Sequence, residues 1–506
     1  MPVDFRRTDS SRAWPYAAAL ALFAIALHSN LLFRKDLTAW ERHWLAQGPT
    51  SLSAAFTSPA VTERGARVYR PLAALALSPL RPPGAPNQPF RQVLNVVLHA
   101  GVVALVFLLG RVVISSTVLG AGGALLFAVH PAHVEVVARI DGCAELLAAT
   151  GVLLSLWLLA RGRGAETGRG AAAAVAAGAA AVLSNEAALS LPFLWLALAR
   201  PWTASADSAG RDEGSAVGAG FWGVLAVCFA ALAAKHLVAG SFGSAPGDFV
   251  ENPLAVAPMG ERLSAGAAIL GRYFVSLTWP FRLSPDYSFD AVPLPGSEGF
   301  GALLGAAALV AALGVLAFAA RERRPVYLSC WLFFIVALLP SLNLFFPAEA
   351  AVSDRFLYLP SVGFFWGMMQ LFNDVGWMSR YEAALRRPTA QTLKPLTLIL
   401  ISLILPWGTA TFVRNREWRT ERGLLQTAVR RMPQNARLHV ALGRAQVQHG
   451  DSLAAERHFS RALDIRPSYR PALLGLEAAW RQLGRDSEAD QLKQLIEKGA
   501  GASRRP

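Results

Sequence analysis

Residues 93–110 read VLNVVLHAGVVALVFLLG, a run of 18 residues without a single Asp, Glu, Lys or Arg. A helix rises 1.5 Å per residue, so about 20 apolar residues cross the ~30 Å hydrocarbon core of a bilayer. The stretch therefore predicts a transmembrane helix. The composition of the chain agrees, because 54% of its 506 residues are hydrophobic and 16% are charged, whereas ordinary soluble domains carry about 25% charged residues.

Apolar runs of similar length recur along most of the chain, and they predict an all-α, polytopic membrane protein with about eleven transmembrane helices. The predicted spans are 14–33, 93–113, 115–131, 143–160, 170–185, 186–200, 219–239, 299–320, 326–345, 357–373 and 395–413. A further apolar stretch, 264–282, contains Arg272 and follows Arg262. We expect it to be amphipathic and to lie at the membrane interface without crossing.

The Arg-rich short segments predict the orientation of the spans. Arg6, Arg7 and Arg12 precede the first span, and the segments 161–169, 321–324 and 380–394 join later ones. Short loops rich in Lys and Arg stay in the cytoplasm. This rule predicts a cytoplasmic N-terminus and a C-terminal domain on the outer, periplasmic side, where most of the unusual polar residues also collect.

The charge composition indicates a membrane and not a nucleic acid as the partner. The net charge is +14, but no basic run is interleaved with aromatic residues as in nucleic-acid-binding proteins. Arg accounts for 43 of the 48 basic residues, a bias typical of GC-rich bacterial genomes, so we expect the cytoplasmic (inner) membrane of a bacterium. The 17 basic and 10 acidic residues of 415–506 would also suit contact with anionic membrane lipids. The three cysteines lie far apart and predict neither a disulfide framework nor a zinc site.

The composition becomes that of a soluble protein from about residue 417, and a repeat is visible there. Pro433 and Pro467 are 34 residues apart, which is the period of tetratricopeptide repeats. We therefore predict a membrane domain over 1–414, about two and a half repeats forming an α-solenoid over 415–500, and a disordered tail over 501–506. Because so few repeats bury little core of their own, we expect them to dock onto the membrane domain.

Ionisable groups at membrane depth are functional candidates because each costs several kcal/mol when unpaired. The densest group contains His130, His133, Glu135 and Arg139. Glu135 and Arg139 are four residues apart and can pair on a helix. Three readings stay open at this point: a metal site, a structural ion pair and a polar substrate cleft. The two histidines lack the i, i+4 spacing of a helical zinc site, which favours the cleft.

Other polar residues stand at the ends of spans. Asp36 follows the first span and is either a solvated charge or a general base for an acceptor hydroxyl. Arg355 either stabilises a phosphate leaving group or pairs with Asp354. Asn95 and His99 lie one helical turn apart, where they can bind a ligand or form hydrogen bonds between helices.

Several strings of the chain resemble the transmembrane and tetratricopeptide-repeat O-mannosyltransferases and their bacterial relatives. They are YRPLAAL (69–75), NVVLHA (95–100), LFAVHPAHVEVVARIDGCAELLA (126–148), ENPLA (251–255), LSPDYS (283–288) and SDRFLYLPSVGF (353–364). The family belongs to the C-type glycosyltransferases, multi-span enzymes that use polyprenyl-phosphate sugars on the non-cytoplasmic side. The resemblance thus implies an inverting transferase that moves a mannose-like hexose from a lipid-linked donor to a protein hydroxyl, with the repeats presenting the protein acceptor.

The resemblance and the polar pattern together predict the site residues. Asp36 would be the base, and Arg355, Arg139 and Tyr358 would bind the donor phosphate. The predicted substrate cleft contains Arg70, His99, His130, His133, Glu135, Glu186 and Asp286. No metal ligand and no cofactor beyond the donor lipid is predicted, and a divalent metal requirement stays open.

This chain departs from the family pattern at three positions. Leu37 stands where the family has a second acid, Asn185 where it has a Lys, and Cys143 where it has an Arg. Two alternatives therefore accompany the main prediction. One is sugar transfer to a lipid or a surface polysaccharide, and the other is a non-catalytic, membrane-anchored repeat scaffold with a degenerate site.

Overall fold

A computed structural model describes residues 13–46, 51–61, 67–77, 88–161, 168–203, 213–240, 252–255, 257–288, 324–344, 347–374 and 390–502. Within these residues the chain is mostly helical, which confirms the predicted class. One two-stranded antiparallel hairpin, β1 (Ala60–Val61) and β2 (Arg67–Val68), interrupts the helices in the loop after the first span.

The helices up to the soluble segment are α1 (Ala13–His28), α2 (Ala39–Ala46), α3 (Leu52–Thr57), α4 (Pro71–Leu77), α5 (Gln88–Val113), α6 (Thr117–Val129), α7 (Val134–Ala138), α8 (Cys143–Arg161), α9 (Gly168–Val182), α10 (Leu191–Thr203), α11 (Glu213–Ala239), α12 (Met259–Thr278), α13 (Pro325–Leu338), α14 (Pro360–Asp374) and α15 (Ala390–Glu417). The soluble segment contains α16 (Glu421–Arg431), α17 (Ala436–Gln448), α18 (Ser452–Ile465), α19 (Arg470–Gln482) and α20 (Asp486–Ala502). Short 3-10 turns at 131–133, 140–142, 186–190 and 354–357 connect membrane helices.

The chain is a multi-pass membrane protein. Four stretches of the described residues are long and apolar enough to cross a bilayer: Ala13–Phe33, Arg91–Val113, Ile140–Ala160 and Gly220–Ala239. The predicted span 299–320 lies outside the described residues, so the count of eleven stays a prediction. Helix α12 has Ile269 and Tyr273 on its buried face and Leu263 and Val275 on its exposed face, and its position at the membrane interface stays a prediction.

The chain bends where the polar cluster begins. Helix α6 and the following segment Pro131–Ala138 are long and apolar enough to cross a bilayer only when taken together, and they meet at an angle of 54°. Pro131 causes the break, because proline disfavours a helical conformation in the residue before it. His130 is accordingly extended, with ψ of 124°. The bend places Glu135 in the short helix α7, and Arg139 directly follows this helix.

The soluble segment consists of consecutive helices that pack on their neighbours. Gly450 and Gly484 end α17 and α19 in the left-handed region, with φ of 79° and 75°, where glycine is the favoured residue. They are 34 residues apart, so the backbone itself repeats with the period expected of tetratricopeptide repeats. The ring of Phe459 lies between α17 and α19, where a Cβ on Gly443 of α17 would meet it at 2.8 Å. Membership of that repeat class stays a prediction.

The predicted domain limits differ slightly from the helix ends. Helix α15 runs to Glu417, three residues past the predicted boundary at 414, and α20 continues to Ala502. The repeat helices contact the membrane part directly. Glu421, at the start of α16, accepts hydrogen bonds from the N–H of Ala39 at 2.6 Å and from Arg42 at 2.9 Å.

The pair His439 and His458 makes the stability of the soluble segment depend on pH. Their Nδ1 atoms are 3.1 Å apart and His439 Nε2 donates to the carbonyl of Pro433. Burial lowers the pKa of both imidazoles, so the folded chain binds protons less readily than the unfolded chain. The stabilisation is present above the unfolded pKa of about 6.5 and is lost as the pH falls towards the lowered pKa. We expect the Tm of this segment to drop between pH 7.5 and pH 5 in differential scanning fluorimetry.

His458→Gln should flatten the pH dependence of the Tm. His449→Gln is the control, because His449 is an exposed histidine directly after α17, and it should leave the pH dependence unchanged. An equal pH dependence in the wild type and in His458→Gln would contradict the assignment.

Candidate active site

Glu186 is held between two cations that come from distant parts of the sequence. Arg70 Nε donates to one carboxylate oxygen at 2.9 Å, and Lys235 Nζ donates to the other at 2.8 Å. The resemblance places a lysine at position 185, but Asn185 instead caps the turn through the N–H of Ala187. Lys235 of α11 thus supplies the positive charge that the local motif lacks.

A second group of charges surrounds Arg355. Its guanidinium lies 3.1 Å from Glu349, 3.8 Å from Glu145 and 3.9 Å from Glu135. Arg139 Nη1 lies 3.4 Å from Glu135 Oε1, so the predicted i, i+4 pair is present. The alternative pairing of Arg355 with Asp354 is absent.

Asp354 turns away from Arg355 and stabilises a different contact. It accepts from Arg414 Nη2 at 2.9 Å and from the hydroxyl of Tyr287 at 2.8 Å. Arg414 lies near the end of α15, so this buried ion pair fixes the loop that carries Arg355 against the last membrane helix.

Glu349 joins the two charged groups into one network, which we call the charged cluster. It contacts Arg355 at 3.1 Å and Arg70 at 3.7 Å. The members of the charged cluster are Arg70, Glu135, Arg139, Asp141, Glu145, Glu186, Lys235, Glu349 and Arg355. The structure therefore brings together the predicted residues Arg70, Glu135, Arg139, Glu186 and Arg355.

The carboxylates of the charged cluster favour the ionised form of Arg70. Burial lowers the pKa of Arg70, but Glu186, Glu349 and Glu145 raise it more strongly, so that it lies above its ordinary value. The charged cluster contains five acidic and four basic side chains, and each basic one has an acidic neighbour. An incoming phosphate would consequently have to replace a carboxylate such as Glu349 beside Arg355, because both anions need the same guanidinium.

A cavity of about 290 Å³ opens beside the charged cluster. Arg139, Asp141, Glu349 and Arg355 line it on the side of the membrane helices. The opposite wall belongs to the repeat helices, with Arg437, Arg444 and Tyr469 among its residues. Trp40 and Trp44 of α2 complete the wall. The cavity is thus shared by both parts of the chain.

Asp36, the predicted base, lies next to this cavity but does not line it. Its Oδ2 accepts the N–H of Glu421 at 3.3 Å, and its Oδ1 is buried. Glu41, in the first turn of α2, already has partners: it pairs with Arg34 and accepts the N–H groups of Thr38 and Ile140. Glu41 therefore does not take the role of the second acid that the family has at the position of Leu37.

The three histidines predicted for the cleft lie instead in the protein core. His99 Nδ1 forms a hydrogen bond with the hydroxyl of Tyr358 at 2.7 Å, so the predicted donor ligand Tyr358 is also buried there. His133 Nδ1 donates to the carbonyl of Phe127 at 2.7 Å, and His130 Nε2 donates to that of Leu277 at 3.2 Å. His130 and His133 hold the bend after α6 in place because their ring nitrogens satisfy backbone carbonyls, and none of the three histidines lines the cavity.

The remaining polar predictions divide in the same way. Asp286 does line the cavity, where Arg437 lies 3.3 Å from its carboxylate. Asn95 donates to the carbonyl of Val137 at 3.3 Å and joins helices, as one of its two interpretations proposed. Among the described residues, no three His, Cys, Asp or Glu side chains form a group that could hold a metal ion.

Sequence reasoning missed Lys235 and Glu349. Lys235 lies inside the predicted span 219–239, and an ammonium group at membrane depth is a signal in itself. Glu349 lies in the loop between α13 and α14, where a carboxylate is common, and only the fold shows its position between Arg70 and Arg355.

The chain is similar to protein O-mannosyl-transferases. It is 26% identical over 370 residues to mouse protein O-mannosyl-transferase TMTC4, covering 66% of this chain and 48% of the relative. It is 26% identical over 462 residues to human protein O-mannosyl-transferase TMTC3, covering 86% of this chain and 48% of the relative. The chain spans about half the length of these relatives. They confirm the resemblance that the sequence strings indicate.

No family model matches the chain. Among solved structures, it is similar to the archaeal oligosaccharyltransferase AglB from Archaeoglobus fulgidus in complex with an inhibitory peptide and a dolichol-phosphate. The TM-score is 0.44 at 15% identity, covering 82% of this chain and 56% of that chain.

The paired charges at Glu186 predict a large effect on stability. Glu186→Gln removes the carboxylate that Lys235, a residue that is 4% exposed, contacts at 2.8 Å. Breaking a buried ion pair from one side costs about 3–5 kcal/mol. We expect a clear loss of Tm in detergent micelles, and a partial recovery in the double variant Glu186→Gln, Lys235→Met.

Glu477→Gln is the matched control, because Glu477 pairs with the more exposed Arg481 and such pairs contribute about 0–1 kcal/mol. If both Glu→Gln variants lowered the Tm equally, the charged cluster would have no special role in stability.

Proposed function

We propose that this chain is an inverting membrane glycosyltransferase that moves a mannose-like hexose from a polyprenyl-phosphate donor to a hydroxyl of a protein acceptor. One observation carries the proposal: the charged cluster opens, through Arg139 and Arg355, into a cavity whose other wall is formed by the repeat helices. A lipid phosphate and a protein segment can meet only at such a junction. The names of the relatives support the hexose and the class of acceptor.

In this proposal Arg355 and Arg139 bind the donor phosphate. Both line the cavity. Arg139 directly precedes the 3-10 turn 140–142, and Arg355 lies in the 3-10 turn 354–357. Both turns are at the ends of membrane helices, where a lipid headgroup is within reach. The phosphate takes the place of Glu349 beside Arg355. Arg70 lies 3.7 Å from Glu349 and keeps the released carboxylate paired. The faces of Trp40 and Trp44 provide the apolar wall that sugar rings need in such pockets.

The chemistry is a single displacement. The acceptor oxygen forms a bond to the anomeric carbon while the bond from that carbon to the phosphate oxygen breaks, and the lipid phosphate leaves with the electron pair. Arg355 and Arg139 balance the charge that develops on it. The acceptor proton passes to a carboxylate, which the resemblance assigns to Asp36. Asp36 must then exchange the N–H of Glu421 for the acceptor hydroxyl.

The orientation of the spans and the position of the repeats complete the proposal. The Arg-rich segments favour a cytoplasmic N-terminus, so the cavity and the repeat helices lie on the periplasmic side of the inner membrane. Helices α16 to α20 act as a short tetratricopeptide-repeat array that presents the acceptor to the cavity, as stacked helix pairs do with bound peptides. The proposed count of membrane spans is eleven.

A non-catalytic scaffold is the alternative, and the contacts of Glu186 speak against it. In a decayed site the loss of lysine at position 185 would leave Glu186 without its cation. Lys235 and Arg70 contact it instead, at 2.8 and 2.9 Å. Because other cations take the place of the missing lysine, the charges around Glu186 are those expected of a functional site.

The purified full-length chain in lipid nanodiscs should transfer labelled mannose from polyprenyl-phosphate mannose to Ser- or Thr-containing peptides. Asp36→Asn and Arg355→Gln should each lower kcat/KM by about 10²–10³-fold, the range seen when one group that stabilises a developing charge is removed. Arg461→Gln, an exposed arginine of α18, should keep wild-type activity. Transfer is measured by scintillation counting of the captured peptide.

Absence of turnover and of donor binding with several polyprenyl-phosphate hexoses would favour the scaffold. If Asp36→Asn kept full activity and Glu349→Gln lost it, the base would be Glu349 and the assignment of Asp36 would be wrong.

A further inference from the structure

One stripe of helix α17 faces the cavity opposite the charged cluster. Arg437, Ala441, Arg444 and Gln448 are spaced by three and four residues, so they share one face of the helix, and all four line the cavity. Leu438 and Ala445 of the same helix line the cavity as well. The stripe therefore presents one guanidinium, that of Arg444, between Arg437 and Gln448 at its two ends.

Both ends of the stripe already have polar partners in the membrane part. At one end Arg437 lies 3.3 Å from Asp286. At the other end Arg42 pairs with Glu421 at 2.9 Å and contacts Gln448 at 3.3 Å. These contacts also attach the repeat helices to the loops of the membrane part.

Arg444 lies between these two ends and differs from them. It is exposed within the cavity wall, and in the part of the chain that the structure describes it forms no ion pair. It is one turn from Ala441 and about 10 Å along the helix from Arg437, at 1.5 Å per residue. A guanidinium in this position suits a carboxylate, which it can bind with two parallel hydrogen bonds.

We propose that Arg444 selects acceptor segments that carry an Asp or Glu side chain near the accepting hydroxyl. This inference rests on the proposed function and names the class of acceptor for the same cavity. Charge complementarity supports a peptide, because residues 415–506 contain 17 basic and 10 acidic residues. Tyr469 and Pro471 at the start of α19 extend the same wall with the rigid, apolar surface that peptide-binding grooves use.

An anionic phospholipid is the other ligand that a free guanidinium would attract. The enclosure of Arg444 favours the peptide, since the cavity has protein on both sides, with Arg355 and Glu349 facing α17 across it. The acidic acceptor side chain then binds Arg444 while the acceptor hydroxyl points to the opposite wall.

The test uses the full-length chain in nanodiscs of neutral phosphatidylcholine and fluorescein-labelled 15-residue peptides with a single central Ser. One series places a Glu at each position on either side of the Ser, and a matched series has Gln at the same positions. We expect at least one Glu peptide to bind two- to five-fold more tightly than its Gln counterpart in 50 mM NaCl, as a partly exposed ion pair allows. The preference should shrink in 300 mM NaCl because salt screens exposed charges.

Arg444→Gln should abolish the preference for the Glu peptide, and Arg444→Lys should keep part of it. The matched control is Arg457→Gln, which removes the same charge from an exposed position on α18 that does not line the cavity. This variant should retain the full preference. Each Kd is measured by fluorescence anisotropy.

Equal binding of Glu and Gln peptides by the wild type would overturn the inference, and so would an equal loss in Arg457→Gln. It would also be wrong if Arg444→Gln weakened binding to phosphatidylglycerol vesicles while the peptide preference survived. Turnover with the mannose donor is scored separately. Turnover without a Glu preference rejects only the inference, whereas a Glu preference without turnover rejects only the proposed enzyme.

Discussion

The carboxylate of Glu186 between Arg70 and Lys235 shows the constraint on which the membrane part depends. A charge that leaves water costs several kcal/mol unless opposite charges and hydrogen bonds surround it. Glu186 has a cation on each oxygen, at 2.9 and 2.8 Å. Because the three residues come from the loop before α4, a 3-10 turn and α11, the ion pairs also fix how those segments lie together. Glu349 extends the same arrangement from Arg70 to Arg355, so these ion pairs also fix the part of the cavity wall that Glu349 and Arg355 form.

The sequence alone predicts much of this organisation, because its main features are periodic or compositional. The run at 93–110 predicts α5, and the separation of Pro433 from Pro467 predicts the 34-residue repeat that Gly450 and Gly484 show in the backbone. The pair of Glu135 with Arg139 follows from helical spacing. Each of these depends on residues near one another in sequence, where the local geometry of a helix is enough.

The rest depends on contacts between distant segments, which no local pattern contains. His99, His130 and His133 resemble cleft residues in the sequence, but hydrogen bonds to Tyr358 and to two backbone carbonyls hold them in the core. Conversely, the departure at Asn185 suggests a weakened site, and only the fold shows that Lys235 restores the charge. A polar residue in an apolar segment therefore indicates that a partner exists, but it does not indicate whether that partner is a substrate or the protein.

The position of Asp36 links the two parts of the chain more closely than their sequences suggest. Its carboxylate accepts the first backbone N–H of α16, a position where the positive end of a helix dipole stabilises negative charge. The side chain of Glu421, the same residue, holds Ala39 and Arg42 of the loop that lines the cavity. Any displacement of the repeat helices must then change both the environment of Asp36 and the wall of the cavity. In the proposed mechanism Asp36 must release this N–H before it can accept the proton of the acceptor hydroxyl. The repeat helices would then control when the base is free, and this coupling would protect a reactive donor from transfer to water.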